Sequence, residues 1–322
     1  MPRKSSGGVR SRKVKRHLPS FLGPLIFVVL LFVSGYFAVR LYGLWENRLG
    51  RNETRVTVVV ASEDPVVYSY NPQNESVSVI TIPRNTQVVA SGGYGNWFVG
   101  SLWGLGIQEK KQGRILQNSV QKSLGIPIDA WVGPGGEILF NDRNLGLMGA
   151  IGEIIKLNNL ETNLSFFDKV NLLVSVGRVG RFSRNEIPIL KKNVLVEETF
   201  SDGVEGYEVV PERTVTELDS LRDDKVFAES KTLRVNNASG VSGLANEVSR
   251  VVSILGLRVI STENAKEKLN GEICVVSGKV QNLESVAGRR LAQIYKCRTY
   301  EVGDDGPFSL EITLGDRFVK EY

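Results

Sequence analysis

The chain has 322 residues, 42% of them hydrophobic and 23% charged, with a formal net charge of +5. That length allows two domains of ordinary size. The surplus charge is local: Arg3, Lys4, Arg10, Arg12, Lys13, Lys15 and Arg16 all stand in residues 1–17 with no acid among them, and the remainder is close to neutral. No basic surface is left for nucleic acid, and none is expected as a partner. The only histidine is His17, which excludes Ser-His-Asp, Cys-His and His-ligated zinc chemistry from the rest of the chain. There is no Gly-x-x-x-x-Gly-Lys-Ser/Thr phosphate loop either. The set that remains is arginines, carboxylates and a bound Mg²⁺, and phosphoryl transfer on an anionic substrate is compatible with it.

Residues 1–17 read as a basic cytoplasmic tail. Leu18–Val39 follows, 22 residues without a charge, against the span of about 20 that crosses a bilayer core. Tyr36, Tyr42 and Trp45 lie near its far end, where an interfacial aromatic belt belongs. A cleaved signal peptide is the competing reading, but the apolar run is long for one and Arg40-Leu41-Tyr42 is no small-x-small cleavage site. The expectation is a single-pass cell-membrane anchor over 18–39, amino terminus cytoplasmic, with the bulk extracytoplasmic. Residues 40–54 form a polar spacer.

The first extracytoplasmic domain is placed at 55–200. Three strand-like runs open it, Arg55–Ser62, Pro65–Asn71 and Ser76–Ile82, the last two joined by Asn71-Pro72-Gln73-Asn74 as a hairpin. Pro83 cannot donate to a ladder and ends the third strand. Arg84 therefore projects from a strand end. Its guanidinium is shaped to fork onto a phosphate, and the alternative is an edge arginine paired with a surface acid. Further along, Trp97–Leu105 is aromatic and apolar, and Gln112–Leu124 has helical spacing closed by Gly125. Ile126–Val132 reads as a strand, Leu145–Leu157 as a helix, and Asn163–Ser175 as helix mixed with strand. Arg178, Arg181 and Arg184 fall within seven residues, either as a second anion-binding element or as a solvated basic loop.

Residues 201–230 carry nine acids against three bases and read as an acidic linker. The last domain, 231–322, has strands at Leu233–Asn236, Leu257–Ser261, Ile273–Val276, Cys297–Val302 and Leu310–Leu314. Its helices are Leu244–Leu255, stopped by Gly256, and Leu283–Tyr295. Two βαβ-like units make a small α/β sandwich. The two cysteines, Cys274 and Cys297, are placed either to form a disulfide or to stay as buried thiols.

Glu63-Asp64-Pro65, Tyr70-Asn71-Pro72 and Val79-Ile80-Thr81-Ile82-Pro83-Arg84-Asn85-Thr86 together resemble the core of LytR-CpsA-Psr (LCP) proteins. Leu124-Gly125-Ile126-Pro127-Ile128-Asp129 is similar to a later segment of that domain, and Arg234–Asn237 with Ser239–Ala245 resembles the start of the LytR C-terminal domain. The resemblance implies a mixed-sheet α/β LCP-like domain plus a small α/β carboxy-terminal domain behind one transmembrane helix. It also implies transfer of a glycopolymer from a polyprenyl-pyrophosphate lipid to peptidoglycan. Arg84, Arg178, Arg181 and Arg184 would be the phosphate-binding residues, with Arg84 catalytic, and Glu63 and Asp64 the acids for Mg²⁺. This sequence departs from the family pattern at several points. Asn85 stands where the family has Asp, the Gly-Ser-Asp loop is nearly deleted, and no Arg-Gln-Gln occurs. Two functions therefore remain: a reduced LCP-like phosphotransferase, or a non-catalytic envelope binding or scaffolding protein on the same fold.

Overall fold

The computed structural model describes residues 27–36, 49, 54–140, 147–156, 160–179, 183–201, 203–265, 267–303 and 307–322. Two units separate, 1–47 and 48–322. In the first, residues 27–36 form helix α1 with exposed side chains, inside the apolar run. The rest of the expected 18–39 span lies outside the described residues. Among those described, no helix is long and apolar enough to cross a membrane.

The larger unit opens with β1 (Val56–Val60), β2 (Val66–Asn71) and β3 (Ser76–Thr81), the three strands expected from the β-branched alternation. They pair antiparallel in sequence order. β4 (Thr86–Ala90) and β5 (Gly95–Phe98) leave for a second sheet as an antiparallel pair. The aromatic run from Trp97 is thus divided between β5 and helix α2 (Leu102–Gln108). Helix α3 (Arg114–Leu124) ends at Gly125, whose φ of +64° is the left-handed stop expected there.

The strand expected over Ile126–Val132 shrinks to β6 (Ala130–Val132), parallel to β1. Pro127 has no N–H to give a ladder, and the amide of Ile128 is taken by the Gln121 side chain at 2.9 Å. Helix α4 (Leu147–Lys156) follows, and α5 (Phe166–Gly177) begins at a Ser165–Asp168 capping box. The strand component expected in 163–175 is absent, because that cap starts a helix of 12 residues. β7 (Arg184–Glu186) pairs parallel with β3 and completes the first sheet, order β6-β1-β2-β3-β7.

β1 is buried on both faces. Val59 packs with Val67 and Ile80 against α2, α3 and β4. Val56, Val58 and Val60 pack with Leu172, Leu173 and Val176 of α5. Full burial explains why its sequence is a continuous valine run and not an alternating one.

The acidic stretch 201–230, read as a linker, carries strand and helix. Its first part joins β8 (Leu195–Thr199) to β9 (Glu205–Val209), which closes the second sheet in the order β5-β4-β9-β8. Helix α6 (Pro211–Glu217), a 3-10 turn at Asp219–Leu221 and helix α7 (Asp224–Ala228) follow. Leu218 and Leu221 enter the core of the first domain, whereas Val226 enters that of the second. The segment is a wedge between two cores, and its acids lie around an apolar ridge.

The last domain contains β10 (Thr232–Asn237), α8 (Leu244–Leu255), β11 (Arg258–Asn264), β12 (Cys274–Gly278), α9 (Val280–Leu283), α10 (Val286–Tyr295), β13 (Arg298–Glu301), β14 (Leu310–Leu314) and α11 (Phe318–Glu321). Its sheet runs β11-β10-β14-β12-β13, with β10–α8–β11 and β12–α10–β13 as the two parallel crossovers. α8 buries Leu244, Val248, Val251, Val252 and Leu255, as its spacing requires, and Gly256 stops it at φ +110°. Ile254 on the same helix points the other way, into the core of the first domain. Cys274 and Cys297 form a disulfide.

Candidate functional site

Arg84 sits where the chain crosses from the first sheet to the second. The Ile82 amide still donates to Pro65 O, 2.9 Å, and Thr86 N turns back on Pro83 O, 2.9 Å. The amide of Arg84 donates to Asp64 Oδ1 at 2.7 Å. Its guanidinium is ion-paired with the Glu63 carboxylate, the two side chains being 62% and 74% exposed. Gly100 N donates to Arg84 O at 3.1 Å. A Cβ on Gly100 would lie 2.7 Å from Arg84 Cβ and 3.2 Å from Glu63 O, so only glycine fits this approach. The pairing with a surface acid weighed for this arginine is present, with Glu63 as the acid.

Asn85 ties this crossing to β9. Its side chain donates to Glu205 O at 3.2 Å, and its carbonyl accepts from Tyr207 N at 3.1 Å. That contact pins β9 beside β4. The open groove along it, about 500 Å³, is lined by Asn85, Glu197, Glu198, Thr199, Glu205 and Tyr207. Three carboxylates in one groove repel a phosphate.

Arg184 does not join Arg84. Arg184 donates to Phe140 O at 2.5 Å and to Val176 O at 3.3 Å, near the carboxy-terminal end of α5. Its ladder partner is Val77, at the start of β3, whereas Arg84 lies beyond the end of that strand. At about 3.3 Å per residue the two are roughly 20 Å apart. Arg178 is exposed and follows α5, and Arg181 lies outside the described residues. The Tyr68 hydroxyl, near Glu137 and Arg184, has its pKa raised mainly by burial.

The residues present do not fit Mg²⁺. Glu63 is held by a guanidinium and Asp64 by an amide, and among the described residues no group of three or more His, Cys, Asp or Glu could hold a metal ion.

Sequence reading missed a buried, heavily bonded charged cluster. Arg290 on α10 has a side chain only 5% exposed, and it forks onto Asp129 at 2.6 and 3.3 Å. Its Nε lies 3.8 Å from Asp223. Burial opposes the Arg290 charge, but Asp129 and Asp223 outweigh it and leave its pKa above the ordinary value. Burial raises Asp223, with Arg290 and three amides pulling the other way. Arg55, lowered by burial, donates to Arg222 O and Ser220 O, both at 3.1 Å. The usable signal was Arg290 on the apolar stripe of its helix, between Ala287 and Leu291, both fully buried.

The carboxy-terminal domain is thus a five-stranded mixed sheet with two parallel crossovers, docked through a buried ionic cluster. Residues 230–318 match the family described as LytR cell envelope-related transcriptional attenuator, so the chain carries a LytR-type carboxy-terminal domain. No curated protein matches the chain in sequence. Similar solved structures include Bacillus subtilis TagV, at 12% identity and TM-score 0.38, covering 52% of this chain and 96% of that one. B. subtilis YwtF (TagT), a LytR-CPS2A-psr family protein with bound octaprenyl pyrophosphate lipid, has 14% identity, a TM-score of 0.37 and coverage of 52% and 89%. B. subtilis TagU has 11% identity and a TM-score of 0.35, with coverage of 52% and 95%. These values stand as similarity alone.

Proposed function

We propose that the chain is a single-pass, extracytoplasmic cell-envelope protein that keeps an LCP-like scaffold as a binding or scaffolding module and has lost the phosphotransferase site. The anchor rests on the basic tail and the uncharged run Leu18–Val39. The envelope setting rests on the LytR-type domain. One observation carries the loss of chemistry: Arg84 is neutralised by Glu63, and Arg184 is bonded at the far end of β3. A pyrophosphate carries several negative charges, and one guanidinium already shared with a carboxylate is a poor clamp for it.

The phosphotransferase reading keeps one supporting observation. An ion pair this exposed is worth little, about 0–1 kcal/mol, so an arriving anion could displace Glu63. The full-length protein in detergent, given a polyprenyl-pyrophosphate-linked glycopolymer, peptidoglycan and Mg²⁺, decides between the two. Absence of transfer is the expected result. Transfer that is lost in Arg84→Ala would restore the enzyme.

A further inference from the structure

The Arg290 cluster stands at the amino-terminal ends of β1 and β6, and the candidate site stands at their carboxy-terminal ends. Arg290 donates to Asp129 and to Arg55 O at 3.1 Å. Asp129 in turn accepts from Thr57 N at 2.8 Å through Oδ2, and its own amide donates to Thr57 O at 2.8 Å. At the other end Ala61 N donates to Val132 O at 2.8 Å, and Ser62-Glu63-Asp64 follows directly.

β6 is an edge strand of the first sheet and has only three residues, 130–132, in the ladder with β1. On its other side Trp131 N donates to Asn163 Oδ1 at 2.9 Å and Thr162 Oγ1 to Trp131 O at 2.7 Å, so 161–163 hold that side and the Asp129 side chain supplies the bond that ties the start of β6 to β1. That carboxylate is nearly buried, 2% exposed, and Arg290 is the one basic group paired with it among the described residues. Without the guanidinium its charge would be unbalanced in a poorly solvated place. Displacing β6 would also move Trp131, whose ring lies 5.7 Å from that of Trp103. Trp103 in turn lies against Gly133, where a Cβ would come within 2.9 Å of its ring.

We propose that Arg290 is a positioning residue: through it the carboxy-terminal domain seats β6 on β1 and so fixes the loops at the Arg84 end. Asp223 and Arg55 brace the latch from the wedge and from β1, since Asp223 accepts from Arg55 N at 3.0 Å. The inference rests on this geometry alone and holds whatever ligand the Arg84 end takes.

Hydrogen exchange on the full-length protein in detergent tests it. In Arg290→Met, amides of 58–61 and 130–133 should exchange at least about tenfold faster, while β10 and β14 keep wild-type protection. The pair Asp129→Asn with Arg290→Gln removes the Asp129 charge and keeps an amide contact there, while Asp223 still accepts from the amides of Arg55 and Lys225. It should return those amides to within about threefold of wild type. Where Arg290→Met does not fold, Arg290→Lys, which keeps the charge but not the fork, is read for the same contrast. Faster exchange confined to α10 and 55–57, or no rescue by the neutral pair, would overturn the proposal. So would failure of all three variants to fold, because the cluster would then be common core and not a latch.

Discussion

Two arginine–carboxylate contacts differ in everything except their chemistry. Arg84 and Glu63 face solvent, whereas Arg290 and Asp129 are almost wholly enclosed. Each exposed partner keeps its water, and the pair has little energy at stake. The enclosed partners have lost theirs, so removing either strands a charge. The arginine that the sequence singles out is therefore not the one that the structure depends on.

The largest effect expected from this contrast is on stability. Arg290→Met should lower the local opening free energy around β1 and β6 by about 3–5 kcal/mol, read as hydrogen-exchange protection, and a loss under about 1 kcal/mol would erase the distinction. The disulfide sharpens it from within the second domain. It closes a loop of 23 residues and ties β12 to the end of the helix that carries Arg290. Cys274→Ala with Cys297→Ala should cost about 3 kcal/mol, read as a lower denaturation midpoint that reductant no longer changes. Gly100→Ala forces a Cβ onto Arg84 and Glu63 and should cost about 1–3 kcal/mol. Smallest is Glu63→Gln, at most about 1 kcal/mol and reduced further by salt. A larger loss would mean that the exposed pair holds the sheet crossing together.

Much of the fold was legible because periodicity and stop signals agreed. The β-branched runs gave β1 to β3, and Gly125 and Gly256 ended α3 and α8 where expected. The nine acids of 201–230 mark a hydrophilic connector and give no sign of the apolar residues it buries. Asp223 instead caps α7 and takes the Arg55 amide, while Leu218, Leu221 and Val226 supply the apolar anchors. Of the candidate site, Arg84 was read at a strand end with Glu63 and Asp64 as companions, and both meet it, but as an ion pair and an amide acceptor. Three arginines close in sequence look like a cluster, yet α5 and β7 direct Arg184 to carbonyls at the far end of β3. Arg290 and Asp129 are 161 residues apart, and spacing along the chain gives no sign that they meet.

The central claim is that the Arg84 end is no pyrophosphate clamp. Its most direct test is a titration of the full-length protein with octaprenyl pyrophosphate, the lipid bound in the YwtF structure. Wild type and Arg84→Ala are compared with and without Mg²⁺. The account predicts no binding, or binding that neither the substitution nor the metal changes. Micromolar affinity that falls about tenfold or more without Arg84, roughly 1.4 kcal/mol, would contradict it.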